Sequence, residues 1–516
     1  MRKFLITITL ALSILNCSTT QSTINFIKKK PNIILIMADD MGYSDIASYG
    51  GEIKTPNLDT LANNGLRYTQ MYNTSKCTTT RSSLLTGRYV TAKSFNINYE
   101  QGPVLGEVLK TQGYRTLWSG KNHSSIRPPE RGFDRFYGFQ GGACNYWNPG
   151  NALQDGGKFP YILAYEWMVD DKWIKNYIPK DPHYYMTDAI TDNALNWLEE
   201  YKDDEQPFFL YLAYNTPHWP LHAKDKDISK YKGVYDSGYQ KIRQARYNRM
   251  VKEGMIDPKI TSLFPEDIPQ WESLTRTEQL LESKRMEIHA AMVDNLDQNI
   301  GRLIEQLKTT KQLDNTLICF FVDNGASHER GTRTLTNYKP KGDEKMGSVM
   351  SYEYVGKNWA RVANTPFAKH KITSHEGGVC SPMIAHWPDG IKFMGHDINT
   401  PVHLVDFMST VLELSGGKYP SSLNGKKTKA IEGTSLVPTF SGQHIDRKYP
   451  IGYYFGMGKG LRDKDWKLVS YKKKKWELYN MKIDRSETNN LASKMPKKVK
   501  ELEEKYKIWV TRCEAQ

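Results

Sequence analysis

Asn32-Ile33-Ile34-Leu35-Ile36-Met37-Ala38-Asp39-Asp40 is the stretch from which the architecture of this chain can be read. Residues 32–38 form an unbroken apolar run, which fits a strand buried on both faces of a parallel sheet and not one that alternates between core and water. The run stops at two adjacent carboxylates. Acids at the end of a buried strand are costly unless something compensates their charge, and a cation is the simplest compensation. Thr316-Leu317-Ile318-Cys319-Phe320-Phe321-Val322 repeats the device and ends in Asp323-Asn324-Gly325. Parallel α/β sheets gather ligands beyond the carboxyl ends of their strands, so the two oxygen-rich pairs can converge on one site. Asp39, Asp40, Asp323 and Asn324 are hard oxygen ligands, suited to Ca2+ or Mg2+ rather than zinc. Alone, Asp-Asp or Asp-Asn-Gly is a common turn or helix cap. Recurrence at two strand ends is what favours a metal.

Between these strands lies Cys77-Thr78-Thr79-Thr80-Arg81-Ser82-Ser83-Leu84-Leu85-Thr86-Gly87-Arg88, a helix-like segment that begins at a thiol and is closed by Thr-Gly. Two readings of it stand side by side. One is an anion-handling nucleophile at a helix N-terminus, where unpaired N–H groups and the helix dipole face the ligand and Arg81 adds a fixed charge. The other is a buried structural cysteine ahead of an ordinary helix. Three further segments are expected to carry a cation or an imidazole to a strand end. Gly113 to Ser119 leads into Gly120-Lys121-Asn122-His123, and Phe208 to Tyr214 leads into Pro217-His218-Trp219-Pro220. Asn364-Thr365-Pro366-Phe367 is followed by Lys371 and His375-Glu376-Gly377-Gly378. Singly, a lysine is usually solvated and a histidine is often structural; the ordered series across the chain is far more specific.

In this order the elements resemble the signature set of the formylglycine-dependent sulfatases, of arylsulfatase type within the alkaline-phosphatase-like superfamily. The resemblance spans about residues 31–492. It implies an α/β sandwich with a large mixed, mostly parallel sheet between helices, plus a small C-terminal antiparallel sheet-and-helix subdomain. It further implies that Cys77 is oxidised to formylglycine by a formylglycine-generating enzyme. One Ca2+ would be held by Asp39, Asp40, residue 77, Asp323 and Asn324. Catalysis would use Cys77, Arg81, Lys121, His123, His218 and Lys371 on a sulfated carbohydrate or an aryl sulfate. The chain departs from the family pattern at Thr79, where Pro or Ala is usual, and at Asn122 and Ser124, where Trp and Leu are frequent. Cys380 also stands where Arg or Thr is common. Two alternatives remain open at this point. Phosphoesterases and phosphonate hydrolases share the fold, although phosphatase relatives commonly bind a second metal through His and Asp where this chain has Lys121 and Lys371. A catalytically silent glycan-binding lipoprotein is the other.

The 516 residues include 71 Lys and Arg against 57 Asp and Glu, a net charge of +14, which favours anionic partners. No helix-turn-helix, zinc-finger or RNP-like pattern supports nucleic acid as that partner. Arg2, Lys3 and the apolar stretch Phe4 to Leu15 read as a signal segment, too short for a mature membrane span. Ile14-Leu15-Asn16-Cys17 resembles a bacterial lipoprotein box with Cys17 lipidated, giving a periplasmic or outer-membrane-anchored protein; ordinary cleavage and secretion is the alternative. The boundaries expected are residues 1–16 for the signal segment, 17–30 for a tether, 31–445 for the catalytic domain and 446–516 for the C-terminal subdomain. Of six cysteines, four lie outside positions 17 and 77, without CxxC spacing, and a disulfide among them is open. Glu282 to Leu307 has helical periodicity, and an insertion at 224–283 with Arg243, Arg246, Tyr247 and Arg249 is either a cleft wall or a surface helix pair. Past Tyr449, short β-like runs at 451–455, 465–471 and 476–479 precede a terminal amphipathic helix at 497–510.

Overall fold

The computed structural model describes residues 30–90, 99–150, 166–329 and 345–515. The expected signal segment, Cys17 and all but the last residue of the tether lie outside the described residues. In chain order the strands of the main sheet are β1 (Asn32–Ala38), β2 (Leu66–Tyr72), β3 (Arg115–Lys121), β4 (Arg135–Phe139), β5 (Trp167–Val169), β6 (Lys172–Ile174), β7 (Phe208–Ala213), β8 (Thr316–Val322), β9 (Cys380–His386), β10 (His396–Ile398) and β11 (Val402–His403). They pair in the order β10-β2-β9-β8-β1-β7-β3-β4-β5-β6, with β11 also on β2. The block β8-β1-β7-β3-β4 is parallel throughout. β9 runs antiparallel to both β8 and β2, and β5 and β6 finish the other edge antiparallel. The sheet is therefore mixed and mostly parallel, as expected.

β1 is buried on both faces, and its side chains divide between two cores. Ile34, Ile36 and Ala38 enter one, with Met286, Met292, Leu296 and Ile300 of the long helix Arg276–Thr309. Ile33, Leu35 and Met37 enter the other, with Leu84 and Leu85 of the helix Cys77–Thr86 and Phe407 and Met408 of the helix Asp406–Ser415. This helix–sheet–helix layering explains why β1 carries no alternation: neither face meets water. The helix read from periodicity at 282–307 extends further at both ends, and Thr275 with Glu278 forms a capping box at its start.

In the loop at 415–429, β12 (Ser422–Leu423) and β13 (Lys426–Lys427) form a small hairpin. A second antiparallel sheet follows, made of β14 (Ile451–Phe455), β15 (Gly458–Asp463), β16 (Trp466–Tyr471) and β17 (Glu477–Asn480). Helix Pro496–Ala515 covers it with Leu502, Tyr506 and Trp509. β15 was not expected from sequence, because two glycines and three charged residues hide its pattern; pairing on both sides makes it a strand.

Part of the insertion at 224–283 packs against the body of the domain, while residues 254–257, 260 and 261 line a surface cavity with Tyr43, Phe367 and Arg485. Arg246 is completely buried and ion-paired to Asp45 and Glu52, Arg249 donates to the Gly50 carbonyl, and Tyr247 donates to the Thr261 carbonyl. Arg246 and Arg249 therefore tie the insertion to the loop after β1. The five cysteines among the described residues are free, so the disulfide left open by the sequence is not formed among them. No helix among the described residues is long and apolar enough to cross a membrane.

Candidate active site

Six segments meet at one edge of the sheet. Asp39-Asp40 follows β1, Cys77 follows β2, Lys121 ends β3 and His123 comes just after it, His218 follows β7, and Asp323-Asn324 follows β8. Lys371 corrects the sequence reading. The segment Asn364–Phe367 continues from the helix Gly356–Ala363, and Lys371 precedes the short helix Glu376–Val379 and β9, so it comes before a strand and not after one. It reaches the same edge because β9 is antiparallel to its neighbours. Gly325 donates its N–H to the Gly378 carbonyl at 3.2 Å, and a Cβ at position 325 would lie 1.8 Å from the Gly377 carbonyl oxygen. Only glycine permits that approach between the Asp323 and Lys371 loops.

The helix Cys77–Thr86 begins where Lys76 is extended and ends at Gly87, whose φ of 65° is left-handed. Thr74 N–H donates to Thr80 Oγ1, and the Thr74 hydroxyl hydrogen-bonds those of Thr79 and Thr80. These bonds let a polar helix start lie buried. Thr79, the departure from the family pattern, serves in this cluster, and its hydroxyl also donates to the Lys76 carbonyl.

Asp39, Asp40 and Asn324 each leave one side-chain oxygen buried and without a hydrogen bond: Oδ1, Oδ2 and Oδ1. Asn324 Nδ2 donates to Asp40 Oδ1 at 2.7 Å, which fixes the amide beside that acid. Ligand atoms of Asp39, Cys77 and Asp323 lie within 4.8 Å of one another, as do those of Asp39, Asp40 and His218. Orphaned acceptors of this kind, with hard oxygens predominating, fit a divalent cation such as Ca2+. Asp40 at φ 65° and His123 at φ 49° hold left-handed backbone where a side chain is present, a strain typical of functional sites.

Around this cage stand three buried cations. Lys121 Nζ donates to Asp39 Oδ2. Arg81 Nη2 lies 3.1 Å from Asp323 Oδ2, and Arg81 Nη1 donates to the Lys121 carbonyl. Lys371 Nζ lies 2.7 Å from Asp40 Oδ1 and 2.8 Å from Glu329 Oε2. His218 Nδ1 donates to the Trp219 carbonyl at 2.7 Å, which leaves Nε2 facing Asp40 Oδ2 at 3.4 Å.

A sulfatase family profile matches residues 31–417, and an N-sulphoglucosamine sulphohydrolase C-terminal profile matches residues 368–515. This chain belongs to the sulfatase family. It is 31% identical to an uncharacterized sulfatase of Schizosaccharomyces pombe, with 93% of each chain covered. It is 32% identical to the arylsulfatase of Klebsiella aerogenes, covering 82% of this chain and 94% of the relative. Among solved structures it is similar to Ps i-CgsB in complex with k-i-k-neocarrahexaose, with TM-score 0.66, 26% identity and 93% of each chain covered. The sulfatase is a sulfuric ester hydrolase on the alkaline-phosphatase-like fold.

In this sulfatase, burial pushes the Cys77 thiol up, against the pull of Lys371 and Lys121, so the unmodified residue is a protonated, weak nucleophile. Burial would also raise Asp39, but Lys121, His218, Arg81 and Lys371 outweigh it and hold the carboxyl below the usual range. Asp323 goes the other way: burial and the adjacent Asp39 push it up to about 8. Burial and like charge thus oppose the surrounding cations differently at the two acids. Burial lowers His218 to about 4 despite Asp40 and Asp39, and burial with Lys121 and Arg81 lowers His123 well below its ordinary value. The residues expected to hold the metal or to act in catalysis, Asp39, Asp40, Cys77, Arg81, Lys121, His123, His218, Asp323, Asn324 and Lys371, come together here. The sequence reading missed Glu329, six residues beyond Asp323, which sits between Lys371 and Lys76. A lone glutamate in a polar stretch carries no signal of its own.

Proposed function

We propose that the sulfatase removes sulfate from a sulfated carbohydrate, using formylglycine made from Cys77 by a generating enzyme and one Ca2+ held by Asp39, Asp40, Asp323 and Asn324. One observation carries this reading: Cys77 opens a helix inside a sealed centre, beside orphaned carboxylate and amide oxygens and three fully buried cations. Once formed and hydrated, formylglycine supplies the oxygen nucleophile. Ca2+, when held by these oxygens, would supply positive charge beside residue 77. Arg81, Lys121 and Lys371 bind the sulfate oxygens, and their burial makes each contact stronger than it would be in water. Asp323 or its neighbour Asp39 takes the nucleophile's proton on a carboxylate oxygen. Lys371 Nζ, which carries its proton, and His218 Nε2, once protonated, would give a proton to the leaving oxygen. His123 is tied to the helix start through Thr78, whose hydroxyl donates to its carbonyl, and serves the proton moved as sulfate departs.

Buried lysines in place of a second metal support a singly charged sulfate over a phosphate dianion. The carbohydrate part draws on the neocarrahexaose bound in Ps i-CgsB and on the chain's positive charge. The basic start, the apolar stretch and Ile14-Leu15-Asn16-Cys17 support export with a lipid anchor. Mass analysis of the peptide containing residue 77, from the native host, is expected to find formylglycine. The same preparation should hydrolyse 4-nitrophenyl sulfate with higher kcat/KM than 4-nitrophenyl phosphate. Unmodified cysteine in a fully active preparation, or a preference for phosphate, would overturn the proposal.

A further inference from the structure

Asp40, Lys371, Glu329 and Lys76 form a row of alternating charge that leads outward from the metal cage. Lys371 lies between Asp40 Oδ1 at 2.7 Å and Glu329 Oε2 at 2.8 Å, and Glu329 Oε1 meets Lys76 Nζ at 2.6 Å. The inner pair is buried, Asp40 at 3% and Lys371 at 0% side-chain exposure, and the outer pair is partly exposed, Glu329 at 24% and Lys76 at 19%. Among the described residues, Glu329 is thus a partly exposed carboxylate joined directly to the buried centre. Its position is built. Lys371 N–H donates to the Ala326 carbonyl at 3.1 Å, the His328 ring stacks on that of His370 at 4.0 Å, and Glu329 N–H donates to Ser327 Oγ. Burial lowers both of those imidazoles, so they pack as neutral rings and add no charge between the segments.

A carboxylate here does nothing to hold sulfate, which it repels. It is an acceptor only, and each of its oxygens already has a lysine and still has a lone pair to spare. A sulfate held on Lys371 with its leaving oxygen turned outward would present the carbon next to the ester carbon on the side of Lys371 where Glu329 lies, 2.8 Å from its Nζ. We propose that Glu329, steadied by Lys76, is a specificity-determining residue that accepts a hydrogen bond from a free hydroxyl vicinal to the sulfate ester and repels a second sulfate at that position. The inference rests on the carbohydrate reading above. It names the substrate class more closely: a pyranose sulfated at one carbon with its neighbour unsubstituted. Discrimination arises in both directions, since a missing hydroxyl leaves the acceptor unpaired and a vicinal anion meets like charge.

The test uses full-length protein matured in a host that modifies residue 77. The probes are 4-nitrophenyl sulfate, the methyl pyranoside monosulfate that wild type turns over fastest, its analogue lacking the vicinal hydroxyl, and its vicinal disulfate. Wild type is expected to favour the hydroxylated monosulfate over the deoxy analogue by at least about tenfold in kcat/KM. Glu329→Gln should shrink that preference to about threefold or less, lower the pyranoside to aryl sulfate ratio at least about tenfold, and raise relative turnover of the disulfate. Glu329→Asp, which keeps the charge but withdraws it, should fall between. Glu329→Gln that retains the wild-type discrimination, or loses aryl sulfate and pyranoside activity in equal proportion, overturns the role and leaves Glu329 as a partner of Lys371 alone. A wild type that hydrolyses the aryl sulfate and no pyranoside overturns the carbohydrate reading itself, and this role with it.

Discussion

Arg81 Nη2 lies 3.1 Å from Asp323 Oδ2, and neither side chain is exposed to solvent. A pair so completely desolvated is expensive to form and more expensive to break, because removing one partner strands the other charge. Arg81 also donates to the Lys121 and Tyr214 carbonyls, so it ties the helix Cys77–Thr86 to the ends of β3 and β7. Arg81→Ala should therefore destabilise the fold by about 3–5 kcal/mol and lower kcat/KM at least about a hundredfold, read by denaturant unfolding and steady-state kinetics. Arg81→Lys should recover only part of both, since one ammonium cannot span three acceptors.

Asp323→Ala and Asn324→Ala separate charge from ligation. Asn324 contributes a neutral, orphaned Oδ1, so its loss should weaken calcium binding by about tenfold or more, near 1.4 kcal/mol, with little change in net charge. Asp323→Ala should abolish binding and activity together. Metal content of the purified variants and calcium titration are the measurements. Chelation of wild type should lower its melting temperature and re-addition of calcium should restore it, because the ion binds only the folded chain.

Lys371→Ala should lower kcat and kcat/KM together by about 10²–10³, as its charged contact is expected to strengthen when the leaving oxygen becomes negative. A change confined to KM would show that the lysine binds the ground state only. Comparing aryl sulfate with aryl phosphate in the same variant checks whether Lys371 favours the sulfate.

Glu376 lies in the Glu-Gly-Gly element yet points away from the chemistry. It is fully buried against Lys467 and Arg485 from the C-terminal sheet region, and its N–H donates to Glu487. Burial would raise it, but Lys467, Arg485 and Arg462 prevail and bring it down to about 2 from an ordinary 4.5. A lowered folded-state value means stability that is complete above about pH 4.5 and is lost as pH falls toward 2. Glu376→Gln should cost about 3 kcal/mol near neutral pH and flatten this acid dependence. Melting temperature against pH, for both proteins, checks the slope and its sign.

Much of the centre was legible in the sequence because chemistry at strand ends is written locally. The apolar runs 32–38 and 316–322 announce buried parallel strands, and the polar residues that follow them have nowhere to go but the strand ends. Cys77 to Gly87 likewise carries its own helix start and its own left-handed stop. Other features have no local pattern. That Lys371 precedes a strand, that β15 exists at all, and that Arg246 is a buried anchor and not a cleft wall follow from partners hundreds of residues away or from pairing on both sides. The row from Asp40 to Lys76 belongs to the same class. Residue type and spacing determine which groups the chain can offer and which strands carry them; long-range pairing and close approach decide which face each other, because ion pairs and hydrogen bonds depend on distances that the linear order does not contain.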